Sequence, residues 1–209
     1  MVFSDNDINV LTSLVRERLS EKRFSHTLGV MRCAEKLSAV YLKDKTDIAK
    51  VAALLHDISK EIPIEEQTSL LISEGILLTD TERLCEGAIH SYTAQVVIKR
   101  DFPLYAHPEV LSATYKHTLG EADMSLLDEI IFLSDFIEEG RTYEASRRLY
   151  DRVFSEIDLS AGEPSEDIIH RACIAEIDST VKHLKEKNKE INPKTLLTRR
   201  ALLSKIKEV

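Results

Sequence analysis

Five separate stretches of this sequence place a histidine or an aspartate on an otherwise apolar helical stripe, and no other feature limits the possible folds as much. Positions 26, 30, 33 and 37 read His, Val, Cys, Leu at helical spacing. Ala49, Ala52, Ala53 and His56 share a face, with Asp57 directly after. Gly87, His90, Ala94 and Val97 line up, as do Val110, Ala113, Thr114 and His117. The stripe Leu127, Ile131 ends in Asp135. An apolar stripe has to face a core, so these helices must converge with their polar groups turned inward. A single inward imidazole bonded to a backbone carbonyl is ordinary. Several together with carboxylates are not, because desolvating a charge costs several kcal/mol unless it is paired or metal-bound. A shared metal removes that cost for all six residues at once. Imidazole nitrogen and carboxylate oxygen without thiolate suit iron, manganese, zinc or cobalt.

The remainder of the chain reads as all-α. Six glycines, five prolines and no tryptophan in 209 residues accompany plentiful Leu, Glu, Lys, Ala and Ile, a composition that favours helix. The length suits one domain with a sizeable core. A first helix is expected from Ser4 or Asp5, with Ile8, Leu11, Val15 and Leu19 on one face. Further helices are expected over about 23–42, 47–60 (before Pro63), 64–74 (closed by Gly75), from a Thr79 or Thr81 cap to about 100, and 108–118 before Gly120. Others follow over 124–138, 141–157 and about 166–187, the last with Ile169, Cys173, Ile177 and Leu184 inward. Residues 161–164 are the clearest loop, and after the Asn192–Pro193 break a final helix runs to the C-terminus. The charged segment 182–190 reads as a solvated helix end. His107, His170 and His183 lie outside the convergent set and read as surface or capping residues. Cys33, Cys85 and Cys173 match no metal-ligand or disulfide spacing and read as buried free thiols.

A net charge of −8 argues against a broad nucleic-acid surface but not against a small phosphorylated substrate. The N-terminus MVFSDNDINV lacks the pattern of a signal peptide, and the apolar runs are too short to cross a bilayer. A cytoplasmic protein with no membrane partner is therefore expected. Exposed apolar positions on the terminal helices would allow a homodimer, though no residue specifies one.

His26, the pair His56–Asp57 and the distant Asp135 stand in the order H…HD…D, which resembles the ligand order that names the HD superfamily. RFSHTLGV (23–30), AALLHDISK (52–60), HTLG (117–120) and the residues Met124, Leu127, Asp128, Ser134, Asp135, Glu138 and Arg141 narrow the likeness. They are similar to the bacterial YqeK-like branch of iron-dependent symmetrical diadenosine tetraphosphate hydrolases. The likeness covers about residues 23–141, taken as an HD core, with residues 142–209 as a helical extension of the same single domain. It continues weakly in INPKTLLTRRALL (191–203). The chain departs from the family pattern at Ser91–Tyr92–Thr93–Ala94, where glycine is commoner near the histidine, and at Arg199–Arg200.

The resemblance implies that His26, His56, Asp57 and Asp135 hold one metal ion. His90 and His117, with Asp57 bridging, would hold a second. The cofactor would be two iron ions, with manganese, cobalt or zinc as alternatives, and His56 and Asp57 would carry the catalysis. A bridging anion is needed because cations roughly 3.5–4 Å apart repel each other. Such a pair makes a hydroxide nucleophile available at neutral pH and draws charge from phosphate oxygens. The implied contacts to a nucleotide polyphosphate are Arg23, Lys60, His90, His117, Thr118 and Arg141. Lys60 reads equally as a cation at a helix C-terminus, and Thr118 as a helix cap. Asp128 and Glu138 either orient neighbouring groups or are solvated. The expected reaction is hydrolysis of a dinucleoside tetraphosphate into two nucleoside diphosphates. The alternatives are an HD phosphohydrolase for another nucleotide and a non-catalytic metal-dependent nucleotide sensor; the intact ligand set weighs against the sensor.

Overall fold

The fold is described from a computed structural model, which covers residues 1–160 and 162–206. Among these residues there are eleven α-helices, two short 3-10 turns and no strand. The first helices start where capping chemistry starts them. α1 (Asp5–Arg18) opens on a capping box in which Ser4 accepts from the Asp7 amide at 3.2 Å and Asp7 accepts from the Ser4 amide at 2.8 Å. α2 (Glu21–Tyr41) is capped by the Ser20 side chain.

α3 (Thr46–Leu55) is buried from Asp47 to Leu55 apart from Lys50. Such an all-round apolar helix belongs at the centre, and it packs against α1, α2, α7 (Pro108–Lys116) and α8 (Leu126–Ile137). Leu54 and Leu55 are fully buried, each contributing roughly 1.5–3 kcal/mol by leaving water. α4 (Ile64–Ser73) and α6 (Glu86–Asp101) enclose a smaller cluster of Leu71, Leu78, Ile89, Tyr92 and Val96. α9 (Glu144–Asp158), α10 (Asp167–Glu186) and α11 (Pro193–Lys205) complete the bundle, with α10 lying between α8, α9 and α11. No described helix is long and apolar enough to cross a membrane.

α11 is tied to the segment around Gly120 at defined points. Gly120 has φ +70°, and a Cβ built there would lie 2.4 Å from the Thr198 methyl of α11. Only glycine fits both that dihedral and that approach. Lys205 Nζ donates to the Met124 carbonyl at 2.6 Å, so α11 clamps the segment that follows His117.

Several expected boundaries move. α3 ends at Leu55 rather than near residue 60, and residues 56–61 continue as turns closed by Ile58, Lys60 and Ile62 amides bonding three residues back. The run expected from Thr79 to about 100 is two helices, α5 (Asp80–Leu84) and α6, separated at Cys85 with φ −95° and ψ 59°. Thr79 caps α5 through a capping box with Glu82. Cys85 is only partly buried at this break, whereas Cys33 and Cys173 are buried as expected. Residues 162–164 form the expected loop, while Ala161 lies outside the described residues. α11 stops at Lys205, and residues 207–209, where a helix was expected to continue, also lie outside them.

Candidate metal centre

Five elements deliver the six residues. α2 carries His26, the turn after α3 carries His56 and Asp57, α6 carries His90, the end of α7 carries His117, and α8 carries Asp135. The early end of α3 matters here. Consecutive residues of a regular helix point about 100° apart. The tightened turn instead lets His56 and Asp57 face one cluster.

Asp57 sits at its centre. Its Oδ2 lies 3.5 Å from His56 Nε2 and 3.9 Å from His26 Nε2, while its Oδ1 lies 3.1 Å from His90 Nε2 and 3.7 Å from His117 Nε2. Asp135 Oδ1 is 3.0 Å from His26 Nε2 and 3.8 Å from His56 Nε2. The rings of His26 and His56 are 5.5 Å apart between centroids, and those of His56–His117 and His90–His117 are each 5.0 Å apart. Ligand atoms of His26, His56 and Asp57, of His56, His117 and Asp135, and of Asp57, His90 and His117 each lie within 4.8 Å of one another.

The donor set fits divalent cations. His26 Nε2 and His56 Nε2 are buried without a hydrogen-bond partner, although Asp135 lies near both outside hydrogen-bond geometry. Their opposite ring nitrogens are engaged. His56 Nδ1 lies 2.7 Å from the Ala53 carbonyl, His117 Nδ1 2.7 Å from the Thr114 carbonyl, and His26 Nδ1 3.2 Å from Glu138 Oε1. Fixing one ring nitrogen aims the other, as metal-binding imidazoles require.

The electrostatics agree. Burial would raise the Asp57 carboxyl, but the surrounding His56, His117 and His90 hold it well below the usual carboxylate range. Burial opposes ionisation of Asp135 too, and the His26 contact and His56 overcome it. Burial lowers His90 to about 4, leaving a neutral imidazole able to ligate at neutral pH.

The basic residues form the rim. Arg23 Nη1 donates to Asp57 Oδ2 at 2.7 Å, and Arg141 Nη2 donates to Asp135 Oδ1 at 2.6 Å. Both line a cavity of about 720 Å³ with Lys22, Arg32 and His26. Lys60 Nζ lies 3.1 Å from His90 Nδ1 and donates to the Gly87 carbonyl at 3.2 Å. Because α3 ends at Leu55, Lys60 is not a helix-terminal cation. Burial lowers its pKa, opposed by Asp57 and Asp135. Thr118 does not cap a helix; its Oγ1 lies 3.0 Å from His117 Nε2 and 3.3 Å from His90 Nε2.

Glu138 and Asp128 are buried, not solvated. Glu138 bridges His26 and the Gly140 amide, which donates to its Oε2 at 2.5 Å. Gly29, one turn beyond His26, admits it: a Cβ there would lie 2.2 Å from Glu138 Oε2. A glycine inside a helix next to a ligand was the signal available in the sequence. Asp128 instead caps α8 and takes Lys116 Nζ at 3.2 Å.

The other three histidines divide. His107 caps α7 by accepting from the Glu109 amide, and His183 is exposed. His170 is neither surface nor cap. It is buried with Nδ1 2.6 Å from Glu129 Oε2, a partner 41 residues away that helical periodicity could not supply. Arg199 pairs with Asp178 at 2.6 Å and not with the cluster.

A helical bundle that gathers H…HD…D residues from separate helices defines a class, the HD-domain proteins. The HD domain's sequence model matches residues 23–174, and the chain belongs to that family. It is similar to the symmetrical bis(5'-nucleosyl)-tetraphosphatase of Halalkalibacterium halodurans, 32% identical over 190 residues that cover 91% of this chain and 94% of the relative. The Bacillus subtilis protein of the same name is 30% identical over 193 residues, again covering 91% and 94%. Among solved structures, a Clostridium acetobutylicum HD superfamily hydrolase described as involved in NAD metabolism matches with a TM-score of 0.81. Its identity is 28%, and the match covers 98% of this chain and 99% of that one.

Proposed function

We propose that this protein hydrolyses diadenosine tetraphosphate symmetrically to two ADP, using two divalent cations. The observation that carries the reading is the division of Asp57, whose two oxygens face two different imidazole pairs. That is the placement required of a carboxylate shared between two cations. His26, His56, Asp57 and Asp135 would hold one ion, and Asp57, His90 and His117 the other. The names of the Halalkalibacterium halodurans and Bacillus subtilis relatives support the substrate. The family likeness of the ligand segments favours iron.

When bound, the cations supply Lewis acidity and a nucleophile derived from water at neutral pH. The residues of this chain do the rest. Arg23 and Arg141, now resting on the two carboxylates, stand at the wall of the basic cavity, where a guanidinium grips phosphate bidentately. Water adds to one of the two central phosphorus atoms and the central P–O–P bridge breaks, so each half leaves as ADP. Arg141 and Lys60 would offer positive charge to the leaving diphosphate. His56 and Asp57 hold the reacting centre in place, and Thr118 offers a hydroxyl to phosphate beside His90 and His117. The net charge of −8 fits a small soluble nucleotide encountered in the cytoplasm and not a nucleic acid.

Chromatography of the products tests this. Protein reconstituted anaerobically with ferrous iron, and separately with manganese or cobalt, should convert diadenosine tetraphosphate to ADP alone. ATP plus AMP would overturn the symmetrical register, and no turnover by metal-loaded protein would overturn the substrate.

A further inference from the structure

A second cavity, of about 640 Å³, is lined by residues of α6, α8 and α10 and by Thr118. It is within the roughly 300–1,000 Å³ typical of small-ligand sites. Its walls are mostly apolar and include Leu119, Phe132, Ile177 and Leu184. Three of its residues lie within one helical turn of expected metal ligands: Gly87 precedes His90 by three residues, Phe132 precedes Asp135 by three, and Thr118 follows His117. Thr118 belongs to both places, since its hydroxyl lies within 3.3 Å of His90 and His117.

Glu176 of α10 lines this cavity. It is 8% exposed, and its Oε2 is buried with no hydrogen-bond partner. An unpaired buried carboxyl costs stability, so its retention on an apolar wall calls for a ligand.

We propose that this cavity receives the adenine base of one half of the substrate, with the Glu176 carboxyl hydrogen-bonded to the base edge. The inference rests on the nucleotide reading above and deepens it. Burial pushes the Glu176 carboxyl well above the usual carboxylate range. A neutral carboxyl presents one acceptor and one donor side by side. Adenine offers the matching pair, an amino group at N6 and an acceptor at N1. The apolar walls would cover the faces of the ring, and Thr118 marks where the base ends and the phosphates begin. The basic cavity at Arg23 and Arg141 is left for the other half of the symmetrical substrate.

Equilibrium dialysis of metal-loaded protein with ADP, and with purine riboside 5'-diphosphate, which lacks the N6 amino group, tests the pocket apart from turnover. The wild-type protein should bind ADP about tenfold more tightly than the purine analogue, the scale of one lost hydrogen bond to a buried group. Glu176→Leu should weaken ADP binding about tenfold and abolish the difference between the ligands. Glu176→Gln, which keeps a donor beside an acceptor, should stay within about threefold of wild type. Thr180 lines the same cavity and is exposed, so Thr180→Trp fills it without entering the core and should weaken both ligands about tenfold. Wild-type affinity in both Glu176→Leu and Thr180→Trp, with diadenosine tetraphosphate still cleaved, would overturn the pocket and leave the activity standing. The expected binding pattern without any cleavage would overturn the activity and leave the pocket.

Discussion

His26 and His170 are both sheltered imidazoles beside a glutamate, yet their surroundings end differently. At His170 the network closes. Nδ1 meets Glu129 Oε2 at 2.6 Å, and Glu129 Oε1 takes Lys205 Nζ at 2.6 Å. At His26 the outer nitrogen meets Glu138 in the same manner, but Nε2 faces Asp57, Asp135 and His56 with no hydrogen-bond partner. A closed network of this kind has both oxygens of its carboxylate spent on partners within the fold. An open one holds several aimed atoms in reserve, and only a further ligand can satisfy them together. Burial of a histidine therefore says little about function until the groups around it have been followed.

The largest effect should come from the open cluster. Asp57→Ala removes the carboxylate shared by both proposed cation positions. Loss of several kcal/mol of metal-derived stabilisation corresponds to about a thousandfold drop in activity. Metal analysis of the purified variant, read beside its ADP formation, should show both fall together. Retained metal and activity would place the centre elsewhere.

The closed network should answer in stability instead. Glu129→Ala strands His170 and frees Lys205, and should cost about 3 kcal/mol, the lower end for a broken buried pair because Lys205 can turn to water. Chemical denaturation measures the loss, while metal content per folded molecule should stay at the wild-type level. A metal-depleted but equally stable Glu129→Ala protein would erase the distinction between the two clusters.

Glu138→Gln weakens the group that orients His26 without touching the expected ligands. Metal affinity should fall by roughly 10–100-fold, the usual effect of losing a partner behind a ligand. Gly29→Ala should act in the same direction, since its methyl would occupy the space of Glu138 Oε2. Competition with a chelator reads both variants.

The smallest effect concerns a second closed network. Burial would raise the Glu82 carboxyl, but its contacts with Thr79, Tyr92 and Lys194 pull it down from 4.5 to about 2. The folded protein thus holds this carboxyl ionised where the unfolded chain would protonate it. Its contribution is present above pH 4.5 and is lost as the pH falls towards 2. Stability measured across that window should fall less steeply in Glu82→Gln than in wild type.

Much of this centre was legible in the sequence, because each ligand interrupts an apolar stripe and the stripes themselves report which way each helix faces. Asp135 on the stripe of Leu127 and Ile131 is such a case. What periodicity does not reveal is the element on the far side of an inward group. Glu129 and His170 look unrelated along the chain, and Glu138 becomes a partner of His26 only because Gly29 leaves room. Glu176 sits beside the apolar positions of α10, where one carboxylate reads as a stripe edge until the cavity in front of it is seen. The end of α3 at Leu55 was hidden for another reason: no glycine or proline marks it, and the turn is set by packing around His56 and by Ser59, whose hydroxyl donates to the His90 carbonyl at 2.7 Å.

The most direct test of the open cluster is anomalous diffraction from crystals of the manganese-loaded protein. Two peaks are expected, on either side of Asp57, one among His26, His56 and Asp135 and the other beside His90 and His117. A single peak away from Asp57, or density at Glu129 and His170 instead, would contradict it.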